Sequence, residues 1–360
     1  MPVPIRARAR LYQTVRTAHL ERARQLAPAT ILHRGTRYDF DPALAADLDL
    51  VAAGPLAAAW LLFRSTVTSV EVNEPLMLAS LRRTAVALAA LRVRALLGGE
   101  RTRLVSYAIE NANPFDRPVT GRARLRRIEH RVLSGYIWRS LDRVVFGTEA
   151  ARRTYAAAFP GRSWPTDAIM IPAVPAPCGC PADPSAVGPH ILFLGRLAPR
   201  KGFDLVLRAW PYLKVHIPDA RLTVVGTGPL ADQARAAAAS DPSISLLLDP
   251  PRAEIHRQLR RARVLVLPSQ PVPGWREQVG LPICEGLAHG CSVVTTTETG
   301  LTDWLDAHGH DLILPGGPAE SLAAALAAAL RRDRSRAAVL ADLPGIDGRL
   351  AADRWLFDGT

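Results

Sequence analysis

Two stretches in the second half of the chain combine residue types that can hold an anion. The first is Gly195-Arg196-Leu197-Ala198-Pro199-Arg200-Lys201-Gly202. Two of its cations suit a phosphate in different ways, Arg196 as a planar fork of donors and Lys201 as a point charge. The second runs from Gly274 to Gly290 and carries Glu277 and Glu285 on either side of Gly280-Leu281-Pro282. Pro282 suits the first turn of a helix, where its missing N–H costs nothing, and Gly290 suits the left-handed residue that ends one. A helix N-terminus offers unpaired amides and a partial positive charge, which favour an anionic group. Carboxylates beside it accept hydrogen bonds from hydroxyls attached to that group.

Strands and helices must bring these stretches together. Apolar runs bounded by turn residues predict strands at 190–194, 221–225, 244–248, 263–267, 292–296 and 311–314, with helical segments between them. Such an order predicts a parallel sheet with crossover helices. Ligands of open α/β sheets bind outside the carboxyl ends of the strands, so the loops at 195–202 and 274–282 are expected at one crevice. The alanine-rich run Ser321 to Leu330 is a strong helix former.

In the first half, strands are expected at Ala29–His33, Val67–Asn73, Arg103–Tyr107, Arg143–Phe146 and Ala168–Ile171, with helices from Pro75 to about Leu97 and from Arg122 to Arg139. The latter helix is basic, with Leu125, Ile128, Val132 and Leu133 on one stripe. Residues 1–28, with six arginines spaced among apolar residues, read as a basic helix. Six prolines and two glycines between Pro172 and Pro189 predict an interdomain linker. The expected division is therefore an N-terminal domain at 1–172, a linker at 173–189, a second domain at 190–340 and a tail at 341–360 that packs back on the N-terminal domain.

The chain has 360 residues, long for one hydrophobic core. Its apolar share of 48% and charged share of 22% are those of a globular protein. The 45 Lys and Arg against 33 Asp and Glu give +12, which favours an anionic partner such as a membrane surface. A nucleic-acid partner is not expected, because aromatic interleaving of the basic helix is limited to Tyr136 and Trp138. Cys178, Cys180, Cys284 and Cys291 lack zinc-ligand spacing and read as reduced thiols of a cytoplasmic protein, and Cys178-Gly179-Cys180 reads as linker rather than a soft-metal site. No signal peptide is apparent, and the apolar window from Val51 to Phe63 is too short to span a bilayer and reads as a core segment. His130 and His289 have no partner at ligand spacing, and no metal site is expected.

Gly195-Arg196-Leu197 with Lys201-Gly202, Val224 to Pro229, Leu267-Pro268-Ser269, and Glu277 spaced eight before Glu285 in a run ending Gly286-Leu287-Ala288-His289-Gly290 resemble family 4 retaining glycosyltransferases of the GT-B fold, bacterial type. The resemblance covers 190 to about 332 closely; Glu110-Asn111, Ile128 to Leu133 and Asp142 to Ala150 are similar to the acceptor side of some members. It implies an α/β protein with two Rossmann-like domains whose parallel sheets face a central cleft. It implies transfer of a hexosyl group, with retention, from a UDP- or GDP-linked sugar to an acceptor, lipid-linked or a small molecule, without a metal or other cofactor. The implied donor residues are Gly195, Arg196, Lys201, Gly228, Glu277, Gly280, Leu281, Pro282 and Glu285. Arg196 and Lys201 would neutralise the diphosphate, Glu285 would accept from the ribose hydroxyls, and Glu277 would hold the sugar. Glu277, with Asn111 and Glu110, forms the implied catalytic set. Peripheral contact with the inner membrane face is a further expectation.

Two departures from the family stand out. The region 107–111 has no His where many members place one beside the reacting carbon, and the Arg-rich opening suggests that the first βα unit is missing or remodelled. Both motivate an alternative, a non-catalytic GT-B-like protein that binds or activates a partner. Gly226-Thr227-Gly228-Pro229-Leu230-Ala231 also fits a dinucleotide pattern, with Asp249 near the ribose position, but it follows the second strand of its domain and reads as a tight turn rather than an NAD site. Asp-x-Asp at 39–41 and 47–49 reads as loop and cap carboxylates.

Overall fold

The computed structural model describes residues 5–37, 40–116, 118–181 and 188–358. They form two units, one from the N-terminus to Ile171 together with Arg349 onward, the other Pro172–Gly348. The first unit contains β1 (Arg8–Val15), α1 (Thr17–Ala23), β2 (Thr30–Thr36), α2 (Pro42–Ala45), β3 (Leu50–Ala52), α3 (Pro55–Phe63), β4 (Ser69–Val72), α4 (Leu81–Leu96), β5 (Arg103–Ala108), α5 (Arg122–Trp138), β6 (Arg143–Phe146), α6 (Glu149–Ala158) and β7 (Asp167–Met170). Its seven strands lie in the order β3-β2-β1-β4-β5-β6-β7, all parallel.

The second unit continues with β8 (His190–Leu194), α7 (Phe203–His216), β9 (Arg221–Val225), α8 (Ala231–Ser240), β10 (Ile244–Leu247), α9 (Arg252–Arg261), β11 (Val264–Leu267), α10 (Leu281–Ala288), β12 (Ser292–Thr296), α11 (Thr302–Ala307), β13 (Asp311–Ile313), α12 (Ala319–Arg331) and α13 (Arg336–Ala341). Its six parallel strands run β10-β9-β8-β11-β12-β13. The interior residues of β8 and β11 are buried on both faces, which is why they read as unbroken apolar runs. Helix α14 (Gly348–Asp358) then returns to the first unit, where Ala352 and Leu356 pack with Val105 and Val145.

The opening of the chain differs from the helix expected over 1–28. Residues 8–15 form β1, a central strand paired on both sides, so the first βα unit is present. The reason is tertiary. Arg10 is 1% exposed and its charge is met by Glu71 on β4 at 3.2 Å and by Asp353 on α14 at 2.7 Å, while Arg349 also pairs with Glu71. A buried guanidinium needs paired carboxylates, and here they come from distant parts of the chain. The window at 51–63 also divides, into the end of β3 and into α3, whose Leu56 and Trp60 are exposed.

The described parts of the expected linker, 173–181 and 188–189, belong to the second unit, where the Cys178 amide donates to the Ala288 carbonyl at 2.7 Å. Asp41 caps α2 by accepting from the Ala43 amide, Asp47 pairs with Arg24, and Asp49 accepts from the Thr30 hydroxyl; Asp39 lies outside the described residues.

Candidate nucleotide-sugar site

In the second sheet the chain steps outward from β8 to β10 and then crosses back to place β11 on the other side of β8. The loops leaving β8 and β11 therefore part at a switch point, where an open crevice forms at the carboxyl ends. These loops are 195–202 and 268–280. Gly195 lies against Leu267 and Pro282, so the end of β8, the end of β11 and the start of α10 meet there. Gly202 has φ +70°, and a Cβ on it would collide with the Pro268 carbonyl oxygen; glycine lets the two loops touch. Gly228 serves the same end, since a side chain there would strike the Leu197 carbonyl, the acceptor of the Leu230 amide. The Gly226–Gly228 turn thus packs against the β8 loop.

Lys201 and Glu277 form an ion pair, their side chains 12% and 11% exposed. The Ser269 hydroxyl donates to the same carboxylate oxygen at 3.0 Å. Glu277 is fixed through its backbone too, because its carbonyl accepts from the Gly300 amide at 2.9 Å and it bridges Thr299. Lys201 and Arg200 both stand over the Trp275 ring, at 5.2 and 4.5 Å from its centroid, a cation–π arrangement that narrows the lysine's freedom. Arg196 is exposed on the same loop. Gly280, at φ +79°, precedes α10, and Leu281 is half exposed at its first position. Glu285 sits one turn inside α10 and pairs with Arg252 at the start of α9. A cation, a buried carboxylate, a helix N-terminus and a second carboxylate are thus gathered at one end of the sheet. The arrangement can bind a diphosphate between Lys201, Arg196 and α10, with hydroxyl-bearing groups at Glu277 and Glu285.

A hollow of about 1010 Å³ on this unit is lined in part by His190, Arg221, Glu254, Arg257 and Arg261. It opens at the amino ends of β8 and β9, the wrong end of a parallel sheet for a ligand, so the switch-point loops are the better candidate.

Glu110 and Asn111 follow β5 in the first unit. Asn111 is buried at 3% exposure. The Glu110 carboxylate accepts from the Ala112 amide at 3.1 Å, a local cap. Sequence reasoning missed Glu74, two residues past the end of β4 in Asn73-Glu74-Pro75. Its carboxylate accepts from the amides of Ile109 and Glu110 at 2.9 and 2.8 Å and from the Tyr155 hydroxyl at 3.2 Å, so it holds the loop that presents Glu110 and Asn111. Burial, with the Glu110 charge adding to it, pushes Glu74 up to about 8. The available signal was its position, a carboxylate one residue past the strand expected at Val67–Asn73. Trp275 and Arg252 were missed as well; Arg252 meets Glu285 across 33 residues of sequence, which no local pattern reveals.

His289, expected to lack a partner, has one: its Nε2 lies 3.0 Å from His256 Nδ1, beside Cys178 and Cys180. Both cysteines sit where the Pro-rich segment turns onto α10, so the fold gives them the neighbours that sequence spacing did not.

Two parallel sheets, each with a switch at its first strand, define a GT-B fold. The fold is shared over 98% of this chain and 99% of the other by the lipopolysaccharide outer core galactosyltransferase WaaB, at 11% identity and TM-score 0.66. HepE of Anabaena, solved in complex with UDP, shares it over 98% and 95%, at 15% identity and TM-score 0.65. Residues 188–332, which lie within the second unit, match the family described as glycosyl transferases group 1. Among curated relatives, the amylovoran biosynthesis glycosyltransferase AmsK of Erwinia amylovora is 29% identical over 141 residues, 38% of this chain and 35% of the relative. The chain spans about a third of that relative's length.

Proposed function

We propose that this protein is a retaining glycosyltransferase that moves a hexosyl group from a UDP- or GDP-linked sugar to an acceptor hydroxyl, without a metal ion at the donor. The observation that carries the reading is the Lys201–Glu277 pair at the β8/β11 switch point, backed by Arg196 and the N-terminus of α10. In this reading the diphosphate draws Lys201 toward itself, and Glu277 turns its freed acceptor capacity to sugar hydroxyls. Glu285 receives the ribose. The bond from the anomeric carbon to the phosphate oxygen breaks, the acceptor oxygen bonds to that carbon on the same face, and the acceptor proton passes to the departing phosphate. Fixed cations at the developing phosphate charge stabilise this transition state without reorganising. Binding of UDP, GDP and their sugars, measured by calorimetry with Mg²⁺ and Mn²⁺ withheld, tests the reading. Micromolar binding of one nucleotide series is expected, and no binding by any would overturn it. The anomeric configuration of a transferred sugar decides retention.

We further propose a cytoplasmic protein that rests on an anionic membrane through α5. Leu125, Ile128 and Val132 are exposed along α5, with the exposed Arg122, Arg124, Arg126 and Arg131 flanking them. Apolar residues beside cations suit an interfacial helix. Among the described residues no helix is long and apolar enough to cross a membrane. Sedimentation with phosphatidylglycerol vesicles is expected for the parent and strongly reduced for Leu125→Ser/Ile128→Ser/Val132→Ser, which keeps every charge. Equal sedimentation of the two would remove α5 from this role.

A further inference from the structure

Four side chains that the donor site does not use converge at the far end of α10. Cys178 and Cys180 come from the Pro-rich segment, His256 from the second turn of α9 and His289 from the residue after α10. One ligand atom from each lies within 4.8 Å of all the others. Cys180 Sγ is 3.5 Å and Cys178 Sγ 3.9 Å from His256 Nδ1, which is 3.0 Å from His289 Nε2. In a tetrahedral zinc site with Zn–S of about 2.3 Å and Zn–N of about 2.0 Å, ligand atoms stand about 3.3–3.8 Å apart. The sulfurs are 2.7 Å apart and need to open by about 1 Å, a small rotation of either cysteine side chain.

We infer that Cys178, Cys180, His256 and His289 form a tetrahedral Cys₂His₂ site for Zn²⁺ that locks the Pro-rich segment and α9 onto the back of the donor-site helix.

Two features beyond proximity support it. His289 Nδ1 is 2.7 Å from the Glu285 carbonyl, so the N–H donates there and leaves the Nε2 lone pair aimed at the cluster. Such an outer hydrogen bond fixes the tautomer and ring direction of metal-bound histidines. The Cys178 amide donates to the Ala288 carbonyl, which seats the Cys-x-Cys turn on the C-terminal end of α10. Charge also balances, since two thiolates neutralise one Zn²⁺, and two soft sulfurs with two imidazoles suit Zn²⁺ over the harder Mg²⁺ or Ca²⁺. The pairing of α9 and α10 is then doubled: Arg252 meets Glu285, and one turn further along each helix His256 meets His289. With four protein ligands the site has no open position, so its role is structural. It is independent of the donor assignment.

The test uses the full chain purified under reducing conditions without chelator. Elemental analysis is expected to find one zinc per chain, and cobalt replacing it is expected to give the visible absorption and thiolate charge-transfer bands of a tetrahedral sulfur-ligated ion. Chelation is expected to lower Tm by about 5–10 °C, reversed by added zinc. The Cys178→Ser/Cys180→Ser variant is expected to lose the metal and start at the lower Tm. If that variant does not fold, the cobalt spectrum of the parent and its loss in His256→Ala decide the matter. A chain without metal whose cobalt titration gives no sulfur-ligated spectrum overturns the site. Zinc retained by the double variant, or a Cys178–Cys180 disulfide in the native protein with no metal, does so equally. Nucleotide binding reads out the donor site separately, so the two proposals can fail apart.

Discussion

Lys201→Ala is expected to lower affinity for the donor nucleotide by about 10- to 100-fold, because a hydrogen bond to a charged partner contributes about 1.5–3 kcal/mol. It also leaves Glu277, only 8% exposed, without its cation. Stranding one member of a buried ion pair costs up to about 3–5 kcal/mol, and the remaining exposure of this pair places the loss toward 1–3 kcal/mol. The single variant thus mixes a binding loss with a folding loss. Lys201→Ala/Glu277→Gln separates them: removing the stranded charge restores most of the stability, while the nucleotide affinity stays low. Calorimetry with UDP and GDP gives the first quantity and urea unfolding the second. Parental affinity in Lys201→Ala would remove the lysine from the diphosphate site. A double variant that binds as well as the parent would assign the whole effect to folding.

Glu71→Ala is expected to destabilise the first unit by about 3–5 kcal/mol. Glu71 is 4% exposed and accepts from Arg10 Nε at 3.2 Å and from Arg349. Without it, two buried guanidiniums lose a shared carboxylate, and both face Asp353. The network joins β1, β4 and α14, so its loss loosens the central strand and the returning C-terminal helix together. Urea unfolding followed by Trp355 fluorescence on α14, with the other tryptophans replaced by phenylalanine, reports it. A change below about 1 kcal/mol would mean that the three remaining groups repack or hydrate without strain. Glu71→Gln keeps hydrogen bonding without the charge and is expected to fall between the two.

The presence of β1 bears on the alternative reading of a non-catalytic relative. One of its two motives was an opening that lacked the first βα unit, and that unit is built normally. The other, the missing histidine at 107–111, stands in the sequence, but the loop there is organised around Glu74.

What could be read without coordinates was local. Strands of the second unit were legible because each is a short apolar run ended by glycine, proline or a polar turn, and parallel strands buried on both faces require such runs. The donor candidates were legible because a phosphate site is built from consecutive backbone and nearby cations, so Gly195–Gly202 and Glu277–Glu285 carry their pattern in a few residues. The Arg-rich opening misled for the opposite reason. Arg10 is admitted to the core by Glu71 and Asp353, which lie 61 and 343 residues away. His256 stands 78 and 76 residues from the two cysteines and 33 from His289, and only the docking of the Pro-rich segment and α9 on α10 makes them neighbours. The chemistry of short loops is written in consecutive residues. The pairing of buried charges and the gathering of two cysteines and two histidines depend on which distant segments pack together, and that was decided by the tertiary structure alone.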